Sequence, residues 1–177
     1  MFIASTHHYI LFFTDKGRCY WLKVFEVPEG GRTARGRAIV NLINKQKDES
    51  VAAFVTAKEF SDSQYIMMVT SQGTVKKTVL SAYGNPRSTG IIAINLTDGD
   101  NLIDAKITDG SSDILIATRN GQAIRFTESD VRDMGRNATG VRGITLIDDD
   151  IVIGMVVGRP NGNVLVVSEH GYGKRSE

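Results

Sequence analysis

Residues 118–125 read Thr-Arg-Asn-Gly-Gln-Ala-Ile-Arg and follow directly on the apolar run Ile114-Leu115-Ile116-Ala117. An apolar strand ending in Thr, then two loop residues, a Gly and a second strand carrying a cation, reads as a tight β-hairpin. The Gly supplies the one positive φ that a three-residue loop needs, without a Cβ penalty. The same arrangement returns at 14–23, 70–77 and 168–175, with its glycine at Gly17, Gly73, Gly121 and Gly171. These glycines stand 56, 48 and 50 residues apart, so one supersecondary unit repeats along the chain.

A second landmark keeps the same beat. Arg32-Thr33-Ala34-Arg35-Gly36, Arg87-Ser88-Thr89-Gly90 and Arg136-Asn137-Ala138-Thr139-Gly140 each place an Arg shortly before a Gly, and a Leu (Leu42, Leu96, Leu146) stands six residues after each Gly. The stretches AIVNL, IIAINL and VRGITL that end on these leucines are rich in β-branched residues and predict strands. Acidic turns follow at Asp48-Glu49, Asp98–Asp100 and Asp148-Asp149-Asp150, read as solvated, and lead into strands at 51–55, 102–107 and 151–157. Residues 2–13 predict a strand, a turn at His7-His8 and a second strand. Helical periodicity is nearly absent, with one helical turn predicted at 131–134. About four short strands per cycle predict an all-β, propeller-like repeat of four-stranded blades. The expected units are 14–69, 70–117 and 118–167, with a partial unit at 168–177, giving three full blades and partial ends.

Composition narrows the function classes. Hydrophobic residues make up 41% of the 177, yet no apolar run approaches the ~20 residues of a membrane helix, and Met1-Phe2-Ile3 does not open a basic, then apolar, leader. A cytoplasmic protein is expected. The single cysteine, Cys19, excludes an internal disulfide and a multi-cysteine metal site. His7 and His8 are adjacent, so on a strand they point to opposite faces, and His170 is far away; no metal site is expected. No GxxxxGK[ST] loop, GxSxG elbow or HExxH motif occurs.

The net charge of +1 averages over a pattern. Cations concentrate in the hairpins and Arg-Gly segments, and acids in the separate turns. Arg beside Gly offers a guanidinium fork to phosphate oxygens next to a backbone that a polyanion can approach closely. One such segment would be an ordinary solvated turn; three in register, with cations at matching hairpin positions, argue for an extended anionic ligand. A curved rim of dispersed phosphate contacts offsets the ~1–6 kcal/mol needed to bend a duplex. No base-reading helix or zinc spacing accompanies the cations, so recognition is expected to be weakly sequence-specific. Two rivals remain: a protein-interaction propeller whose Arg-Gly loops meet an acidic partner, and a propeller enzyme. The enzyme requires paired carboxylates converging on a pocket, whereas the acids here repeat as turns.

The segments GRTARGRAIVNL (31–42), GTVKKTVLSAYGNPRSTGIIAINL (73–96), TRNGQAIRFTESDVR (118–132), VRDMGRNATGVRGITL (131–146) and HGYGKR (170–175) together resemble the C-terminal domain of bacterial DNA gyrase A across essentially the whole chain. The corresponding C-terminal domain of topoisomerase IV is the nearest relative with which it could be confused. The resemblance implies a β-pinwheel whose blades exchange strands and whose basic perimeter wraps double-stranded DNA in support of ATP-dependent negative supercoiling by a type II topoisomerase. It implies gyrase B and the rest of gyrase A as partners. It also implies no catalytic residue and no cofactor in this stretch, ATP and Mg being used by other domains. Carried over by position, the DNA-facing residues are Arg32, Arg35, Arg37, Lys76, Lys77, Arg87, Arg125, Arg136, Arg142, Lys174 and Arg175.

Two departures qualify the expectation. The family's heptapeptide Gln-Arg-Arg-Gly-Gly-Lys-Gly does not occur in the chain, and the repeat count falls short of the family's roughly six blades. DNA binding with modest bending is therefore expected, without strong supercoil capture. Unpaired strand edges near Phe2 and Ser168 further predict dimerisation, strand swapping or edge-to-edge packing.

Overall fold

Each glycine that marks the repeat sits at the tip of an antiparallel hairpin, with φ of 75°, 84°, 86° and 82° at Gly17, Gly73, Gly121 and Gly171. The structure, a computed structural model, describes residues 2–159 and 162–176. The hairpins are β1 (Tyr9–Thr14) with β2 (Arg18–Lys23), and β4 (Tyr65–Thr70) with β5 (Thr74–Val79). Two more follow, β8 (Asp113–Thr118) with β9 (Ala123–Thr127), and β12 (Val164–Val167) with β13 (Gly173–Ser176). Beyond the acidic turns, β3 (Val51–Ala57), β7 (Leu102–Thr108) and β11 (Val152–Val157) add to the first strand of the first three hairpins, with Leu11 opposite Val55, Met67 opposite Lys106 and Ile116 opposite Met155.

The fourth strand of a blade comes from the next unit. β6 (Ile91–Ile92) follows the second hairpin yet pairs with β2, placing Ile91 opposite Cys19 and Ile92 opposite Arg18. β10 (Val141–Arg142) follows the third hairpin and pairs with β5, Val141 opposite Val75 and Arg142 opposite Thr74. The sheets are therefore β3-β1-β2-β6, β10-β5-β4-β7, β11-β8-β9 and β12-β13. The expected units at 14–69, 70–117 and 118–167 each contribute strands to more than one blade. β7 packs against both β3 and β11 on the inner side, leaving β6 and β10 as outer edges.

Side-chain alternation joins the blades. In β4, Ile66 and Met68 enter one core with Leu11, Phe13, Leu80 and Tyr83, while Met67 and Val69 enter a second with Ile114, Ile116, Val152 and Met155. A strand covered on both faces needs a continuous apolar run, and IMMV supplies one. At ~1.5–3 kcal/mol for each fully buried large apolar side chain, these two layers are the main cohesion of the array.

Four expectations are corrected. Residues 2–5 form no strand, and Phe2 instead stacks on Phe54, ring centroids 4.8 Å apart. IIAINL and VRGITL contribute only two paired residues each, because the chain then crosses the hairpin tip: the Ala93 and Ile94 N–H groups both donate to Gly17 O (2.8 and 3.2 Å), and those of Gly143 and Ile144 to Gly73 O (2.8 and 3.3 Å). AIVNL has no neighbouring strand among the described residues and folds as a 3₁₀ turn at Ile39–Asn41. The helical turn lies at Glu128–Asp130 rather than 131–134, since Asp130 accepts from the Thr127 N–H (3.3 Å) and the Met134 N–H is committed to Lys77 O (2.9 Å).

The acidic turns are also less solvated than expected. Asp100 and Asp150 are buried: Asp100 Oδ1 accepts from the Gln72 N–H (3.0 Å) and Ser71 Oγ (2.7 Å), and Asp150 Oδ1 from the Asn120 N–H (3.0 Å). Each carboxylate thus holds the hairpin loop beside it. Among the described residues, no helix is long and apolar enough to cross a membrane.

Candidate nucleic-acid interface

The Arg-Gly segments run along the outer edge of the blades, because each leads into an edge strand. Arg87–Gly90 turns on a Gly90 N–H to Arg87 O bond (2.8 Å) and enters β6; 136–140 enters β10. The reading of these glycines as open backbone is corrected for two of the three. A Cβ on Gly90 would lie 2.6 Å from the Tyr20 ring, and one on Gly140 would lie 2.5 Å from Val75 O. These glycines let one unit press against the preceding blade. Gly36, with φ of 70° like Gly90, has nothing within 4 Å of a Cβ position.

The candidate cations divide into three groups. Arg32, Arg35, Arg37, Arg87, Arg142, Lys174 and Arg175 are exposed and make no side-chain hydrogen bond or ion pair with the described residues. Arg142 projects from β10, and Lys174 and Arg175 from β13. Arg125 and Arg136 form the second group. Arg125 is exposed but its guanidinium pairs with the Asp113 carboxylate, and half-buried Arg136 donates from Nη1 to Ile92 O (3.3 Å). Both remain within reach of solvent, with part of their donor capacity already used.

Lys76 and Lys77 form the third group and are corrected as surface contacts. Both are buried, because β5 is flanked by β4 and β10 and lies between neighbouring blades. Lys76 Nζ donates to the Ala93 and Arg136 carbonyl oxygens. Burial, with the Arg136 guanidinium as a second cause, lowers its pKa to about 7, so at neutral pH it carries only part of a charge. Lys77 Nζ lies 3.1 Å from Asp133 Oδ1 and 5.1 Å from the centre of the Tyr65 ring. Lys76 thus ties two successive Arg-Gly segments to one blade, and Lys77 anchors the stretch that leads into the third.

Other arginines escaped the sequence reading as structural parts. Arg18 Nη2 donates to Thr89 O (2.6 Å) and Gly90 O (3.4 Å) while its Nε lies 3.6 Å from buried Glu49. Glu49 accepts from the Tyr20 hydroxyl (2.7 Å) and the Gln46 N–H (3.1 Å). The sequence signal for this cluster is position: Glu49 is the last acid of its turn, where Asp100 and Asp150 stand in theirs. Arg132, exposed beside Asp133, is a further cation on the same Arg-Gly segment. Among the described residues, no three His, Cys, Asp or Glu side chains gather to hold a metal.

Blades that complete each other's sheets, with arginine-bearing loops feeding the outer edges, define a strand-exchanging propeller. The chain belongs to the family described as DNA gyrase C-terminal domain, beta-propeller, which matches residues 8–58, 64–109, 112–158 and 162–177. The DNA gyrase A protein of Salmonella typhimurium is 46% identical over 176 residues, covering 99% of this chain and 20% of that protein. The chain therefore spans about a fifth of the length of such relatives. In solved structures, the C-terminal domain of DNA topoisomerase IV superposes with a TM-score of 0.86 at 31% identity, covering 96% of this chain and 53% of that one. The DNA gyrase A C-terminal domain does so at 0.82 and 27% identity, covering 97% and 55%.

Proposed function

We propose that this chain binds double-stranded DNA along its outer edge and bends it, as part of a gyrase A protein that supports ATP-dependent negative supercoiling together with gyrase B in the cytoplasm. The observation that carries the reading is the set of exposed arginines and lysines, without protein partners among the described residues, that recurs at successive units: Arg32, Arg35 and Arg37, then Arg87, then Arg142, then Lys174 and Arg175. The repeat spreads these cations along a curved rim, and dispersed phosphate contacts are what a bent duplex requires. The described residues form no helix longer than a single 3₁₀ turn with which to read a groove, so on this reading affinity rests on charge and depends little on sequence. This chain contributes no chemistry of its own to strand passage.

The test is equilibrium binding of a fluorescently labelled duplex across a salt series. With about six phosphate contacts, affinity falls by ~10³-fold between 50 and 200 mM salt and differs little between unrelated sequences. Affinity that is flat across that series, or confined to one sequence, overturns the reading. Pull-down of a protein partner that persists after nuclease treatment, with no salt-sensitive DNA binding, favours a protein-interaction propeller instead.

A further inference from the structure

The second blade carries a buried cation that packing alone does not call for. Lys76 of β5 pairs with Met68 and shares its face, toward the core layer between the first and second blades. At the matching place on the third blade, opposite Ile116, stands Ile124, packed in the second layer. An apolar side chain therefore suffices there. Lys76 instead buries an amino group that makes no ion pair with a described residue, whereas its neighbour Lys77 has Asp133.

What this amino group holds is the junction of two Arg-Gly segments. It donates to Arg136 O and to Ala93 O, and the Ala93 N–H is in turn bound to Gly17 O of the first blade (2.8 Å). Around it the two segments bind each other directly. Arg136 Nη1 donates to Ile92 O (3.3 Å), the Asn95 N–H to Ala138 O (3.2 Å), and the Asn95 side-chain amide to Asn137 O. The segments so joined carry the exposed Arg87 and Arg142.

The titratable groups packed around Lys76 include no carboxylate partner. Cys19 of β2 and Tyr83 of the 3₁₀ turn Leu80–Tyr83 lie in the same layer, and burial pushes both pKa values up, so both stay neutral. β6 brings no titratable side chain, Tyr65 of β4 sits by Lys77 on the other face, and Arg142 of β10 is exposed. There remains the half-buried Arg136 guanidinium, one N–H of which is committed to Ile92 O. Burial first, and this like charge second, bring Lys76 down to about 7. An anion set on Arg136 from outside offsets the second cause.

We propose that Lys76 is a proton-linked positioning residue of the DNA-facing rim: a backbone phosphate engaged at Arg136 draws one proton from the buffer onto the buried amine, and the ammonium grips Ala93 O and Arg136 O harder, fixing the two arginine-bearing segments against each other. This rests on the DNA-binding reading above. The coupling is reciprocal, so a duplex binds more tightly where Lys76 is protonated, and the bound duplex tightens the junction.

The experiment is an NMR titration of the Lys76 side-chain carbon signal in the wild-type chain from pH 6.0 to 8.5, with and without saturating duplex at low salt. The signal is assigned through its own backbone amide. The midpoint, near 7 without DNA, is expected to rise by about one pH unit with duplex, and duplex affinity to be about tenfold higher at pH 6.0 than at 8.5. Lys76→Met, which leaves all three histidines in place, is expected to lose that difference. Arg136→Gln keeps a donor for Ile92 O but no charge, so its DNA-free midpoint rises and duplex moves it less. Salt-sensitive duplex binding with an unmoved Lys76 midpoint overturns the proposal and leaves the DNA-binding reading standing, whereas no duplex binding overturns both. A Lys76→Met chain with the wild-type pH dependence, or an Arg136→Gln chain whose midpoint responds to duplex as the wild type's does, also overturns it.

Discussion

Replacing Gly73 and Gly121 by Ala separates the local demands of a hairpin from the lock between units. The two glycines have nearly equal φ, 84° and 86°, so an alanine at either incurs the same left-handed backbone cost of ~1–2 kcal/mol. Their surroundings differ. The new methyl at 73 falls 2.7 Å from Ile144 Cγ2 and 2.8 Å from Ile144 O, whereas at 121 nothing lies within 4 Å. Overpacking of this kind costs a further ~1–3 kcal/mol, and a backbone oxygen cannot rotate away as a side-chain tip can. Gly73→Ala is therefore expected to destabilise by ~2–5 kcal/mol and Gly121→Ala by only ~1–2 kcal/mol. Urea denaturation measures the difference. Amide hydrogen exchange locates it: in Gly73→Ala the Gly143 and Ile144 amides, both bonded to Gly73 O, lose protection first. Equal losses for the two variants, or unchanged protection at Gly143 and Ile144, would refute the reasoning that strand exchange is held at the hairpin tip.

Further outcomes follow from the same contacts. The pKa of Lys76 in the folded chain, about 7, lies below its ordinary 10.5, so the unfolded chain binds more protons between those values and stability rises with pH across that window. The thermal unfolding temperature is expected to rise from pH 7.0 to 8.5, with a stability slope of at most ~1.4 kcal/mol per pH unit, and Lys76→Met abolishes this slope; a flat wild-type profile contradicts the assignment. Asp150→Ala leaves the Asn120 and Ile151 N–H groups without their acceptor and is expected to cost ~1–3 kcal/mol in urea titration, against little for its exposed neighbour Asp149. In a circle-relaxation assay the chain is expected to shift linking number only weakly, since it carries no Gln-Arg-Arg-Gly-Gly-Lys-Gly stretch. Full positive wrapping by this chain would refute that.

The hairpins were legible because their geometry is local: a loop that needs positive φ selects Gly, and Gly17, Gly73, Gly121 and Gly171 all have it. Strand exchange was not legible from the residues themselves. Whether Ile91 and Ile92 pair with β5 or with β2 is decided by which edge lies alongside in space, and nothing within IIAINL records it. The same gap explains Lys76 and Lys77. Two adjacent lysines behind a hairpin read as a charged patch, and adjacent strand residues do point to opposite faces. In β5, however, neighbouring blades cover both faces, so both amino groups are largely withdrawn from solvent and each turns to acceptors: two carbonyls for Lys76, Asp133 for Lys77. Arg87 and Arg142 were legible as exposed cations because their segments end on edge strands, where one side stays open.

That the exposed cations of the outer edge carry DNA binding is tested most directly by the salt dependence of duplex affinity for the wild type and for a combined Arg87→Gln, Arg142→Gln, Lys174→Gln, Arg175→Gln variant. Each phosphate contact contributes about −0.9 to the slope of log K against log salt concentration, so the predicted slope is shallower by ~3–4 in the variant, with weaker binding to every duplex alike. A variant that binds with the wild-type slope and affinity would contradict it.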